Sequence, residues 1–394
     1  MHEKYLQEMN KIFNTLSFSL LLALMACGEQ LELPESAFFM RILGNNGHDE
    51  AVALQTNAAS EIYLAGNLSD GDKIFWSKLD QYGVATWDYI WGDSSQQEMA
   101  NWTLVDGKML ATGKVVDDSG QSHLALWQMN SSSGAMEAAG FPVVSTADSW
   151  GQNVIQTANG GTFIAGNFRN ANETHEGSLY MLLNSAEEVQ WTHMYSQLQP
   201  FDQIIGMREV ADGYQVLGNV ISEGRLTVRI VQLNTDGLVA WSQTLRDQPV
   251  LNAVAISWEG ALIRVLATQG VGNEAQKVIL NFSEEGKYSH KTELPQDYPS
   301  TAADLLLDPQ GFYFVLSSAV VDARDTDCVI QKFDASFELI WEQQYGSDWQ
   351  DKANKLFYRS SGPGFLATIN FDNKNENANT KMAVYALDQE GVLK

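Results

Sequence analysis

Cysteine and proline are scarce in this chain, at two and eight of 394 residues. Two cysteines cannot staple a chain of this length, so a disulfide framework is excluded as the source of its stability. Positive charge is also in short supply: 24 Lys and Arg against 49 Asp and Glu leave a net charge of −25. Such a balance opposes nucleic-acid phosphates and anionic lipid surfaces, and nucleic acid is not expected as a partner. Helical periodicity is scarcely visible anywhere. Only 19% of residues are charged while 44% are hydrophobic, which excludes a disordered chain. The chain is rich instead in glycine (31) and tryptophan (11), with aromatics at 10%, a composition of short strands and tight turns.

The N-terminus reads as an address. Residues 12–26 are apolar or weakly polar and follow Lys4 and Lys11, the plan of a secretory signal. This run is shorter than the roughly twenty residues a permanent transmembrane helix requires, so cleavage is expected. Its close, Leu24-Met25-Ala26-Cys27, resembles the lipobox of bacterial lipoproteins. That resemblance implies diacylglycerol on the Cys27 sulfur, cleavage before it, and acylation of the new amino terminus. The alternative is a plain signal peptide with a chance cysteine. The expected division is a signal peptide over 1–26, a lipidated cysteine and tether over 27–37, and a folded body over 38–394. A lipid-anchored place at the outer membrane follows, on the cell surface or the periplasmic face. Cys328, within Cys328-Val329-Ile330, reads as a small core residue.

The body is repetitive. One phrase recurs: an apolar run ending in a small residue, a polar loop, a second apolar run ending in Leu/Phe-Asp/Asn, a turn with Gly, then Trp four residues later. Ile62-Tyr63-Leu64-Ala65-Gly66 with Leu79-Asp80-Gln81-Tyr82-Gly83 and Trp87 is one copy; Tyr214 to Gly218 with Leu233 to Gly237 and Trp241 is another. The small residue falls at Gly66, Gly113, Gly166, Gly218, Thr268, Ser318 and Thr368. The aromatic falls at Trp87, Trp191, Trp241 and Trp341, with Ala138 and His290 in the weaker second and fifth copies. Each unit reads as four strands, in the first 50–56, 61–65, 73–79 and 85–91. Seven four-stranded units at this period predict an all-β, seven-bladed β-propeller. The seventh unit stops at Leu387 to Lys394, where its Trp-bearing strand should begin. Phe39-Met40-Arg41-Ile42-Leu43-Gly44 matches Trp341 to Gly346 in spacing. The N-terminal strand is therefore expected to complete the last blade and close the ring.

These repeats resemble those of Bacteroidota-type repeat lipoproteins. The Asp-x-x-Gly-x-x-x-Trp portion also resembles quinoprotein-type propellers and the propeller lipoprotein of the outer-membrane barrel-assembly machinery. The resemblance implies a blade fold, with function left to sites built upon it.

Motifs of chemistry are sparse. No nucleotide-binding glycine pattern, Gly-x-Ser-x-Gly elbow or zinc spacing occurs among the six histidines. The Asp-box of sialidase propellers, Ser-x-Asp-x-Gly-x-Thr-Trp, is also missing. Acidic loops such as Asp117/Asp118 and Asp322/Asp325/Asp327 lack a calcium pattern, so no metal or other cofactor is expected. The recurring Asp49, Asp202 and Asp351 are expected to hold loop backbone. Long loops between second and third strands, as at 167–177 and 370–380, mark one face as the working one. Blade connections on that face carry Trp150, Phe201, Tyr298 and Trp349 beside Asp202 and Asp348, the candidate binding surface. The sequence therefore predicts a non-catalytic docking or ligand-binding platform, an accessory subunit of an outer-membrane complex with a protein or surface-glycan partner. The alternative is an extracellular glycan-active enzyme or glycan-binding lipoprotein using the same face.

Overall fold

Met40–Leu43 pairs antiparallel with Asn379–Leu387, in a register that sets Met40 opposite Tyr385 and Leu43 opposite Met382. The first strand of the propeller is thereby joined to its last. The computed structural model describes residues 40–392 except 44–48, 69–72, 93–95, 141, 143–147, 171–175, 247–248, 322–324, 347–349, 360–363 and 374–378. Cys27, the tether and Phe39 lie outside the described residues. The strands form seven four-stranded antiparallel sheets in chain order. Blades 1 to 6 span 50–91, 96–140, 148–195, 203–244, 251–293 and 300–345; blade 7 spans 351–387 and takes Met40–Leu43 as its outermost strand. This is the all-β, seven-bladed propeller that the repeats predict.

A tight turn follows the third strand of each blade, and in most blades the residue that opens it explains the recurring Asp or Asn. Asp80 Oδ1 accepts the N–H groups of Tyr82 and Val84, both at 2.9 Å, and Gly83 adopts φ +77°. Asn184, Asp334 and Asp388 serve blades 3, 6 and 7 in the same way. The side chain satisfies N–H groups that the strand ladder cannot use.

The Trp after each turn packs on the turn of the next blade. A Cβ on Gly134 would lie 2.8 Å from Trp87, on Gly237 2.6 Å from Trp191, on Gly286 2.6 Å from Trp241, and on Gly391 2.8 Å from Trp341. Glycine is required there twice, for the positive φ and for the approach of the indole. Where the aromatic is missing, so is the glycine. Ala138 and His290 stand in for Trp in blades 2 and 5, and the turns that follow them carry Glu187 and Phe337, each at φ +63°. Phe337 supplies a ring of its own, stacked 4.6 Å from Tyr313 and with Arg264 5.1 Å above it.

The apolar core is divided into seven, one between each pair of neighbouring blades. Trp76 of blade 1 meets Trp102 and Trp127 of blade 2. Leu54 and Leu64 of blade 1 meet Leu366 and Val384 of blade 7, with Leu43 of the N-terminal strand against them. No blade buries its faces alone. Cys328 lies in the core between blades 6 and 7, where burial pushes its thiol up.

Every innermost strand carries a bulge at the same level, after Ala51 in blade 1 and its counterparts through Ala353 in blade 7. Opposite it in the first four blades stand Gly66, Gly113, Gly166 and Gly218, where a Cβ would come within 2.3 Å of an inner-strand carbonyl. In the last three blades the register differs by one residue from the sequence alignment. Ala267, Ser317 and Ile369 face the bulge, not Thr268, Ser318 and Thr368. Thr268 and Ser318 instead take the place of Asn67, and all three reach the next blade. Asn67 clasps the Met99 backbone at 2.8 and 3.0 Å, while Thr268 and Ser318 accept the N–H groups of Ala302 and Ala353, both at 2.9 Å.

Lys277, 1% exposed between blades 5 and 6, donates to Gln331 Oε1 at 2.6 Å and Ser317 Oγ at 3.3 Å. Burial pushes its ammonium down to about 8, against the upward pull of Glu342. Below that pH both folded and unfolded chains bind the proton, and folding bears the full cost of burying the charge. Between about 8 and the ordinary lysine value near 10.4 the unfolded chain binds more protons, so stability rises with pH. Denaturant unfolding at pH 8 and pH 10 should therefore show the wild type gaining about 1–3 kcal/mol relative to Lys277→Met. Equal pH responses in the two proteins would refute the assignment.

Candidate functional site

The first strands of all seven blades line a cavity of about 710 Å³ on the ring axis. It is walled by the N-terminal ends of those strands and by the C-terminal ends of second strands, so it opens on the face that bears the second-to-third loops. That face carries less loop than the sequence suggests. In blade 3 the strands Thr162–Arg169 and Glu176–Leu183 leave only 170–175 between them, and in blade 7 Phe365–Asn373 and Asn379–Leu387 leave 374–378. Ladder pairing thus extends into the ends of the loops expected at 167–177 and 370–380.

The common bulge aims one side chain per blade at the mouth. Blades 7, 1 and 2 contribute an ionic arc. Lys352 Nζ is 2.8 Å from Glu50, and Lys114 Nζ is 2.7 Å from Glu98. Behind them Lys355 lies 3.5 Å from Asp304, which also accepts the Leu356 N–H at 2.8 Å; burial raises the Asp304 carboxyl and the lysine opposes that rise. Blades 4, 5 and 6 contribute the exposed, neutral side chains of Gln203, Asn252 and Thr301. Trp150 of blade 3, half-buried, stands between the two arcs, and Asp202 is exposed beside Gln203. The Asp202 carboxylate has no hydrogen-bond or ion-pair partner among the described residues. Gln152 ties the wall together by accepting the Ile204 N–H at 2.7 Å and donating to the Phe201 carbonyl at 3.0 Å.

The candidate residues of the sequence are dispersed. Trp150 and Asp202 share the cavity wall. Phe201 is in the core, 1% exposed, with the Arg229 guanidinium 4.3 Å from its ring and Asn167 clasping its backbone at 3.2 and 2.6 Å. Its expected place on the surface is corrected by that packing. Tyr298 is 42% exposed and outside the cavity wall. Asp348 and Trp349 lie outside the described residues, as does Cys27.

Glu50, Glu98 and Lys352 were not singled out by sequence reasoning, though a signal was present. Asp49 and Asp351 are buried, and the residue after each, Glu50 or Lys352, faces the axis. Among the described residues no three His, Cys, Asp or Glu side chains converge as metal ligands. Three carboxylates on one wall, with amides and an indole, can accept and transfer protons and hold a polyhydroxylated ligand.

No protein-family model and no curated protein matches the chain. Among solved structures it is similar to the phage phi92 endosialidase, at 9% identity and a TM-score of 0.50, over 89% of this chain and 69% of that one. It is also similar to a subtype N10 neuraminidase-like protein of A/little yellow-shouldered bat/Guatemala/060/2010, at 14% identity and a TM-score of 0.42, over 71% of this chain and 90% of that one. These likenesses are of fold. The phage phi92 protein is named an endosialidase, and on that finding the expectation of a non-catalytic docking platform is corrected in favour of the glycan-directed alternative.

Proposed function

We propose that this propeller acts on glycans in its axial cavity. The carrying observation is the wall itself, where the Trp150 indole stands among three carboxylates and a neutral arc of amides and a hydroxyl. A sugar ring presents an apolar C–H face and a girdle of hydroxyls, which suits stacking on an indole and hydrogen bonds to amides and carboxylates. Glycosidic cleavage uses two carboxyl groups, one to protonate the leaving oxygen and one to attack or to activate water. Glu50, Glu98 and Asp202 are the carboxylates available for those roles. A wall assembled from seven blades needs no local motif, so the missing Asp-box does not oppose this reading.

The leader supplies the setting. Cys27 at the end of a lipobox-like segment would anchor the propeller to the outer membrane by its acyl chains, at the cell surface or on the periplasmic face, within reach of envelope or environmental glycans. The likeness of the repeats to Bacteroidota-type lipoproteins belongs with that reading.

The full-length protein should release new reducing ends from some member of a diverse polysaccharide and oligosaccharide panel. Trp150→Ala should weaken binding about tenfold or more. Among Glu50→Gln, Glu98→Gln and Asp202→Asn, those that remove a proton-transfer group should lower kcat by about 10²- to 10⁴-fold. A panel left uncleaved, or cleavage indifferent to all three substitutions, would remove the enzymatic reading.

A further inference from the structure

We infer that the axial cavity selects glycans that carry no acidic groups, an inference that rests on the glycan reading of that cavity. Three ammonium groups reach its wall, and each already has a carboxylate: Lys352 with Glu50 at 2.8 Å, Lys114 with Glu98 at 2.7 Å, and Lys355 with Asp304 at 3.5 Å. No other lysine and no arginine lines the cavity among the described residues. Asp202 is left over, a carboxylate on the same wall without a counter-ion among the described residues.

A carboxylate, sulfate or phosphate on an incoming sugar would have two places to go. It could displace Glu50 or Glu98 from its lysine, leaving that glutamate beside a like charge. Otherwise it would lie unpaired near Asp202, and either arrangement sets like charges side by side with no cation left to offset them. The body adds long-range repulsion, with a net charge of −25.

A neutral sugar meets no such opposition. Gln203 and Asn252 each offer donors and an acceptor, Thr301 offers a hydroxyl, Asp202 accepts, and Trp150 gives a face for stacking. The two arcs therefore divide the labour: the neutral arc of blades 4 to 6 recognises hydroxyl and amide groups, and the ionic arc of blades 7, 1 and 2 excludes anions.

The test is binding of the full-length protein to a glycan array holding neutral and acidic members, including hexagalacturonate beside its fully methyl-esterified form and sialyllactose beside lactose. The retained set should be neutral, each neutral partner exceeding its acidic counterpart about tenfold or more. The double variant Glu50→Gln/Glu98→Gln, with folding checked by its melting curve, frees Lys352 and Lys114. It should raise the ratio of acidic to neutral binding about tenfold, and Asp202→Asn should move that ratio the same way. Acidic glycans bound as tightly as neutral ones would overturn the selectivity and leave the glycan reading in place, as would a ratio that none of the variants moves. An array with no bound member would overturn both.

Discussion

Deleting residues 40–43 should lower the melting temperature by about 10 °C or more, and deleting 28–37 should leave it unchanged. The first deletion strips Asn379–Leu387 of its outer partner and removes Leu43 from the core shared by blades 7 and 1. A four-residue strand is short, yet its loss exposes a ladder of N–H and C=O groups and loosens the blade on which ring closure depends. Differential scanning calorimetry separates the two deletions, because the second removes length before the strand and none of its pairing. A protein without 40–43 that melts like the parent would show that the ring holds without this strand.

The second large effect is expected at the junction of blades 4 and 5. Gly286→Ala places a methyl group 2.6 Å from the Trp241 ring on a backbone at φ +73°. The strain of a left-handed residue costs about 1 kcal/mol, and displacing the indole about 1–3 kcal/mol more. In a Trp241→Ala background only the conformational cost should remain, so urea unfolding of the four proteins should give a coupling energy of about 1–3 kcal/mol. Blades 2 and 3 supply the converse. Ala138→Trp should destabilise when Glu187 remains and be tolerated together with Glu187→Gly, since that pair reproduces the arrangement of the other junctions. Additive effects throughout would mean that the indole and the glycine act independently.

The architecture could be read from the sequence because each blade meets the same local demands. The Asp80-type turn, the glycine of positive φ and the Trp four residues later are short-range features, repeated often enough to survive degeneration in blades 2 and 5. The register of the last three blades could not be read, because Thr268 and Ser318 resemble small packing residues while acting as hydroxyl acceptors for the next blade. Trp150 and Asp202 were legible by residue type. Phe201 was not, since Arg229 of blade 4 packs on its ring and Asn167 of blade 3 clasps its backbone, and both are distant in sequence. The ionic arc was hidden for a different reason. Glu50, Glu98 and Lys352 come from separate blades and share no motif, and only ring closure brings them together. The same limit undid the inference of a non-catalytic protein, which rested on missing local spacings. A site on a propeller axis has no local spacing to show.

The pairing of Met40–Leu43 with Asn379–Leu387 also sets a timetable. The strand that completes the ring is the first of the propeller to leave the ribosome, and its partner is the last. At about 5–20 residues per second, synthesis separates them by tens of seconds, during which blades 1 to 6 can form while blade 7 cannot. Loop closure over nearly the whole chain is the most non-local step in the fold, and such steps are slow. Until it occurs, the apolar faces that blades 7 and 1 bury against each other are open to other chains. Yield in the cell should depend on how long that last step is left waiting.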